Sequence, residues 1–184
     1  GTGITNSAAY ALEKMGRPVP PREELERFVG PPLWESFMRF CGLSREEAEQ
    51  AVLFYREYYR EKGIFENRVY GGMEQVLKRL SAAGITLLLA TSKPEMFARR
   101  ILKHFCLYDH FAFVGGSELS GERVEKAEVI AYSLQSAGIS DRSSAVMIGD
   151  REHDILGAKK CGVASLGVLF GYGSREELER AGAD

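Results

Sequence analysis

Residues 145–158, AVMIGDREHDILGA, decide how this chain is read. Ala145 to Ile148 form an unbroken apolar run with two β-branched members, the pattern of a short buried strand. Gly149 breaks the run and Asp150 follows at once. From Glu152 onward, Ile155, Leu156 and Lys159 recur at helical spacing. Asp150 is therefore expected just past the carboxyl end of a strand and just before a helix, in the crevice where open α/β sheets bind ligands. Asp154 lies four residues on, within reach of the same spot. Two carboxylates there repel one another unless a cation lies between them, and oxygen-only ligation suits Mg²⁺. The competing reading makes Asp150 a turn residue and Asp154 an ordinary first-turn helix acid.

Working outward, the same alternation extends over the second part of the chain. A helix is expected over 72–83 and a buried strand over 85–90, followed by Thr91, Ser92, Lys93 and Pro94. A helix over 95–106 and a strand over 111–114, ended by Gly115 and Gly116, come next. Then come a polar loop over 117–123, a helix over 125–137, the strand before Asp150, a strand over 163–170 broken at Gly167, and a helix over 174–181 with the capping-box pair Ser174 and Glu177. Strands alternating with helices imply a parallel sheet covered on both faces.

The first part has a different character. Helices are expected over 4–16 and 22–29. A third is opened by Pro31 and Pro32 and carries Leu33, Trp34, Phe37 and Met38. A fourth starts at Ser44, with Glu47 at capping-box distance and Ala48, Ala51, Val52, Tyr55, Tyr58 and Tyr59 at helical spacing. That spacing favours packing over an aromatic cage for the tyrosines. The expected division is a helical domain over 4–68 and a Rossmann-like α/β core over 69–184.

Composition bounds the partners. The 184 residues are 45% hydrophobic and 27% charged, ordinary for a globular protein of one or two domains. A net charge of −2 gives no reason to expect nucleic acid. No apolar run approaches the roughly 20 residues of a membrane span. Cys41, Cys106 and Cys161 are widely spaced and form no CxxC, so reduced thiols and a cytoplasmic location are expected. Oligomeric state is left open.

Three polar groups fall after three strands: Thr91 with Ser92, then Lys126, then Asp150 with Asp154. In a parallel sheet the strand C-termini point one way, so these groups can converge. A hydroxyl, an ammonium and a metal-binding acid pair are what a phosphoryl group needs. Taken singly, Thr91 and Ser92 also read as a helix cap and Lys126 as a solvated first-turn residue. A lysine at a helix N-terminus opposes the helix dipole, which raises the functional reading.

The order Thr91-Ser92-Lys93, then Lys126, then Gly149-Asp150-Arg151-Glu152-His153-Asp154 resembles the second, third and fourth motifs of the haloacid-dehalogenase-like hydrolases. Gly30-Pro31-Pro32-Leu33 and Gly171-Tyr172-Gly173-Ser174 look closest to the phosphoglycolate phosphatase-like branch, which includes 5′-nucleotidase-like members. The resemblance implies an α/β core with a small helical cap and a Mg²⁺-dependent phosphatase acting on a small phosphorylated metabolite. Phosphoglycolate is the default substrate and a nucleoside monophosphate the competitor. By the same resemblance Thr91 and Ser92 bind phosphate, Lys126 steadies phosphate and nucleophile, Asp150 ligates Mg²⁺, and Asp154 supports the metal directly or through water. The family's DxDGT nucleophile motif precedes a GITNS-like segment, which here begins at Gly3, and no aspartate occurs before Asp109. The aspartyl nucleophile and a first strand are thus expected outside these residues, as is a further strand after Asp184.

Two readings of another class stand beside this one: a receiver-type module, which shares the acid pocket, threonine and lysine, and a non-catalytic phosphate- or metal-binding protein. Arg22, Arg27 and Arg39 could hold a substrate carboxylate and Trp34 could stack a base, although each also reads as a surface or packing residue.

Overall fold

The computed structural model describes residues 1–118 and 122–184. The middle of the expected polar loop over 117–123 lies outside the described residues. The chain divides into two compact units, Gly1–Tyr70 and Gly71–Asp184.

The first unit is helical throughout, with α1 (Thr2–Lys14), α2 (Arg22–Leu25), α3 (Leu33–Cys41) and α4 (Arg45–Glu61). α4 starts where its sequence says it should. The Ser44 hydroxyl accepts the Glu47 N–H at 3.2 Å, and the Glu47 carboxylate accepts the Ser44 N–H at 2.8 Å. Its buried stripe is Ala48, Ala51, Tyr55 and Tyr59, with the two tyrosine rings stacked at 5.5 Å. Burial pushes the Tyr59 phenol up to about 12 and Tyr55 further still. The helix expected over 22–29 makes one α-turn and then tightens to a 3₁₀ turn over Glu26–Phe28. Phe28 meets Phe37 edge-on at 4.9 Å. Of the apolar residues expected to pack from α3, Phe37 is buried, while Trp34 and Met38 are 37% exposed. The helix buries one face only, and the Arg45 guanidinium lies 4.2 Å over the Trp34 ring instead.

The second unit holds α5 (Met73–Ala82), β1 (Leu88–Pro94), α6 (Glu95–His104), β2 (Phe113–Ser117), α7 (Lys126–Ser136), β3 (Val146–Gly149), α8 (Glu152–Lys160), β4 (Ala164–Gly167) and α9 (Arg175–Ala181). It is an α/β unit of parallel strands. β1 pairs with β2, and β3 with β4. Among the described residues these are two separate pairs rather than the continuous sheet expected from the alternation. One edge of β1 and one edge of β3 carry no described strand.

The reach of β1 differs from the sequence expectation. Residues 85–87 stay outside it, because the Ile85 N–H returns to the Leu80 carbonyl and closes α5. Pairing begins at Leu88 and runs through Thr91 to Pro94, with a register irregularity between those two. Gly115 and Gly116 lie inside β2 rather than ending it. A Cβ at Gly115 would overlap the Ser133 hydroxyl of α7, and one at Gly116 would press on the Lys93 carbonyl and the Glu95 backbone. The glycines let two helices sit close against the strand.

β3 is also less buried than its composition suggests. Val146 and Ile148, two apart on one face, are 59% and 53% exposed, and Leu166 of β4 is 48% exposed. Only the other face packs. There Met147, Leu88 and Ala90 lie against the core of Ile130, Leu134, Ala158 and Val163, so α7 and α8 tie both strand pairs together. The strand expected over 163–170 ends at Gly167.

Candidate active site

Four of the five candidate residues gather where β1, α7, β3 and α8 meet. The Lys126 ammonium is 2.9 Å from Asp154 Oδ1 and donates to the Ala90 carbonyl of β1 at 3.2 Å. That places it one residue from Thr91. The stem of Lys126 crosses α8 at Gly157, where a Cβ would meet its methylenes. Lys126 thus begins α7 but turns its charge away from that helix's positive end toward a carboxylate on α8, which resolves the conflict with the dipole.

Asp154 is buried, and both its oxygens are engaged. Oδ1 takes Lys126, while Oδ2 accepts the backbone N–H groups of Asp150 at 3.1 Å and Arg151 at 3.2 Å. Arg151 is the N-cap residue of α8 and Asp150 the residue before it, so Asp154 ties the entry to the helix back onto its first turn. Close approach is possible because Gly149 offers no side chain; a Cβ there would overlap the Asp154 carboxylate.

Asp150 follows β3 directly and is partly buried. One of its oxygens, Oδ2, accepts the Tyr172 N–H at 2.8 Å. The loop carrying Gly171, Tyr172 and Gly173 folds tightly over it. A Cβ at Gly171 would overlap the Asp150 side chain, and one at Gly173 its carbonyl. Oδ1 makes no hydrogen bond among the described residues. A carboxylate oxygen left open fits Mg²⁺, which takes one or two protein carboxylates and fills the rest of its octahedron with water and substrate oxygens. The described residues form no cluster of three or more His, Cys, Asp or Glu side chains suited to a fully protein-built metal cage.

Thr91 lies in β1 opposite Gly116, its hydroxyl oxygen accepting the Lys93 N–H at 3.2 Å. Ser92 is exposed, and its carbonyl accepts the Ser117 hydroxyl at 2.9 Å. Neither residue is hydrogen-bonded to Asp150 among the described residues. The exposed Arg22, Arg27, Arg39 and Trp34 all belong to the first unit.

Sequence reasoning missed three supports. Gly157 makes room for the Lys126 stem, and a glycine inside a helical run is a readable signal of close approach. The Gly171–Gly173 loop was noted for its resemblance but not for its hold on Asp150. Glu177 carries the third. Ser174 caps α9 by accepting the Glu177 N–H at 3.2 Å. The Glu177 carboxylate does not close the box but reaches Arg151 Nε at 2.8 Å and the Glu152 N–H at 2.9 Å. Burial pushes the Glu177 carboxyl up, yet these partners hold it below its usual range.

The model of the family described as haloacid dehalogenase-like hydrolase matches residues 2–168, most of the chain. This chain belongs to that family. Among its relatives, a 5′-nucleotidase of Pseudomonas aeruginosa is 46% identical over 176 residues, covering 96% of this chain and 79% of that protein. The tyrosine-protein kinase PtkA of Mycobacterium tuberculosis is 38% identical over 179 residues, which span 97% of this chain but only 60% of the kinase. A phosphoglycolate phosphatase of Neisseria gonorrhoeae is 30% identical over 183 residues, covering 96% of this chain and 77% of that protein. A crystal structure described as a predicted phosphatase from Clostridium acetobutylicum superposes with a TM-score of 0.89 at 45% identity, covering 98% of this chain and 83% of that one. The haloacid dehalogenase-like family thus supplies the fold and a phosphatase chemistry. No helix of the described residues is long and apolar enough to cross a membrane.

Proposed function

We propose that this chain forms most of a Mg²⁺-dependent phosphomonoesterase acting on a small phosphorylated metabolite, with Asp150 as the metal ligand. The observation that carries this reading is the convergence of Lys126, Asp150 and Asp154 beside Thr91 at the carboxyl ends of parallel strands. Bound Mg²⁺ would neutralise the charge that develops on the transferring phosphoryl group. Asp150 keeps Oδ1 free of hydrogen bonds among the described residues and is fixed through Oδ2 by the Tyr172 N–H. With both oxygens engaged, Asp154 acts on the metal site through the backbone of Asp150 and through water. Lys126 keeps one of its three protons for a phosphate oxygen. The Thr91 hydroxyl accepts the Lys93 N–H and donates its own proton to phosphate.

The nucleophile in this reading is an aspartyl carboxylate outside residues 1–184. The open edges of β1 and β3 support a further strand there, one that would carry it to Lys126. Its oxygen attacks phosphorus as the bond from phosphorus to the alcohol oxygen breaks, the second aspartate of the DxDGT motif gives the leaving oxygen its proton, and water then cleaves the acyl phosphate, returning a proton to that aspartate and releasing inorganic phosphate. The helical unit serves as a cap that excludes bulk water. Relatives named 5′-nucleotidase and phosphoglycolate phosphatase support two substrate classes. The higher identity of the first favours a nucleoside 5′-monophosphate over the phosphoglycolate suggested by the motifs. A cytoplasmic location is part of the same proposal.

The test is hydrolysis by the full-length protein of nucleoside monophosphates and phosphoglycolate, with Mg²⁺ and with a chelator. Turnover that needs Mg²⁺ and is lost in Asp150→Asn supports the reading. Turnover unaffected by chelator and by Asp150→Asn overturns it.

A further inference from the structure

Asp150 is held by two stretches of chain that lie far apart in sequence. The first is its own: Asp154 Oδ2 accepts the Asp150 N–H, and Arg151 and Glu152 carry the chain into α8. The second is the loop of Gly171, Tyr172 and Gly173, whose Tyr172 N–H donates to Asp150 Oδ2 at 2.8 Å. That loop runs directly into α9 through the cap residue Ser174. Glu177, in the first turn of α9, joins the two stretches. Its Oε1 accepts from Arg151 Nε at 2.8 Å and from the Glu152 N–H at 2.9 Å. Its own N–H donates to the Ser174 hydroxyl at 3.2 Å. A Cβ at Gly173 would lie 3.4 Å from the same Oε1 and would overlap the Asp150 carbonyl oxygen, so carboxylate, loop and Asp150 backbone are packed together. The Glu177 side chain is only 18% exposed, which limits competition from water for these contacts.

These contacts close a ring. It runs from Asp150 through Arg151 and Glu152 to Glu177, back along α9 to Ser174, and through Tyr172 to Asp150 again. Glu177 is the link in it between the start of α8 and the start of α9. The two helices also pack through Ile155, Leu178 and Ala181, so they stay together without that link. What Glu177 adds is local to the Asp150 end. An ionised oxygen shared by a guanidinium and a backbone N–H makes two charge-assisted bonds, stronger than neutral ones. We propose that Glu177 is a positioning residue for Asp150, fixing the two stretches against each other so that the Asp150 carboxylate keeps one orientation toward its cation. The Tyr172 N–H occupies Oδ2 and leaves Oδ1 for the metal. A loop free to drift would release Oδ2 and let the carboxylate turn. Groups that orient a metal ligand in this way set metal affinity along with the ligand itself. This inference rests on the phosphatase reading and gives its proposed metal ligand a support from outside the recognised motifs.

The experiment titrates Mn²⁺ into the full-length wild type, Glu177→Ala and Glu177→Gln and reads the free ion by electron spin resonance. Mn²⁺ takes the same oxygen ligands as Mg²⁺. Asp150→Asn defines the background, and only the binding it abolishes is counted. Glu177→Ala is expected to raise the Mn²⁺ dissociation constant about tenfold. The Mg²⁺ concentration for half-maximal activity rises by the same factor, and excess Mg²⁺ recovers most of the activity. Glu177→Gln keeps an acceptor for the Glu152 N–H but loses the charge facing Arg151, and is expected to fall between, at about threefold. Wild-type Mn²⁺ affinity in Glu177→Ala overturns the inference whatever happens to its Tm, because a brace that serves only the fold lowers Tm and leaves the ion alone. If Glu177→Ala does not fold, Glu177→Gln decides in the same way. A wild type with no Mn²⁺ binding that depends on Asp150 overturns the inference together with the metal site. A wild type that binds Mn²⁺ there but hydrolyses no phosphomonoester sinks the phosphatase reading alone, and the titrations still decide the role of Glu177.

Discussion

The Lys126 ammonium and the Asp154 carboxylate form an ion pair at 2.9 Å with side chains only 13% and 8% exposed. Removing one partner from a pair this dry leaves the other charge uncompensated, a loss of about 3–5 kcal/mol. Lys126→Met should therefore lower unfolding free energy by roughly that amount, less what the two N–H donors to Asp154 retain. The double variant Lys126→Met/Asp154→Leu should recover part of the loss. Urea unfolding of the two proteins checks this; equal stability of wild type and Lys126→Met would contradict it.

Gly157→Ala tests how closely α7 and α8 approach. Alanine improves helix propensity by about 1 kcal/mol. The added Cβ would press on the Lys126 methylenes, and overpacking costs about 1–3 kcal/mol. The net expectation is a mild destabilisation, with a larger fall in kcat/KM because Lys126 is displaced. An unchanged kcat/KM in steady-state assays would show that the stem has room to shift.

Much of this arrangement was legible. Ser44 and Glu47 announced α4 and its cap, and the strand–Asp150–helix passage was readable from four apolar residues followed by glycine and acid. Gly115 and Gly116 were misread because glycine punctuates a sequence in two ways. It ends strands, and it also admits a close neighbour. Only Ser133 and Glu95, distant in sequence, tell the two apart. Val146 and Ile148 read as buried because β-branched residues mark strands without saying how many faces are covered. Glu177 sits at capping-box spacing, which pointed to Ser174. Its long-range partner Arg151 was invisible to a local rule.

Gly171→Ala addresses the loop over Asp150. The new methyl group would overlap the Asp150 side chain and push it from the Tyr172 N–H. Asp150 is the proposed metal ligand, and perturbing a group that orients such a ligand typically costs about 10–100-fold in metal affinity. Titration of activity against Mg²⁺ should show half-maximal activation at about tenfold higher concentration, with Tm little changed.

Glu177 provides a pH test. Its carboxyl is held below the ordinary value of 4.5 in the folded protein. The folded state thus binds fewer protons than the unfolded one as pH falls past that value. The contribution of Glu177 is fully present above the unfolded value and is lost as pH drops through the folded one. Denaturation of wild type and Glu177→Gln from about pH 7 down to about pH 3 should show a constant gap that closes below the unfolded value. A gap that widens with acid would reverse the sign.

One carboxylate, that of Asp154, fastens the end of β3, the first turn of α8 and the first residue of α7. α7 and α8 also meet in the core of Ile130, Ala158 and Val163. Under the proposed function, the entropy of aligning these charges is spent in folding rather than at each substrate encounter. The proposed site would then share a failure mode with folding: loosening the contact between α7 and α8 is expected to slow turnover as well as to lower stability.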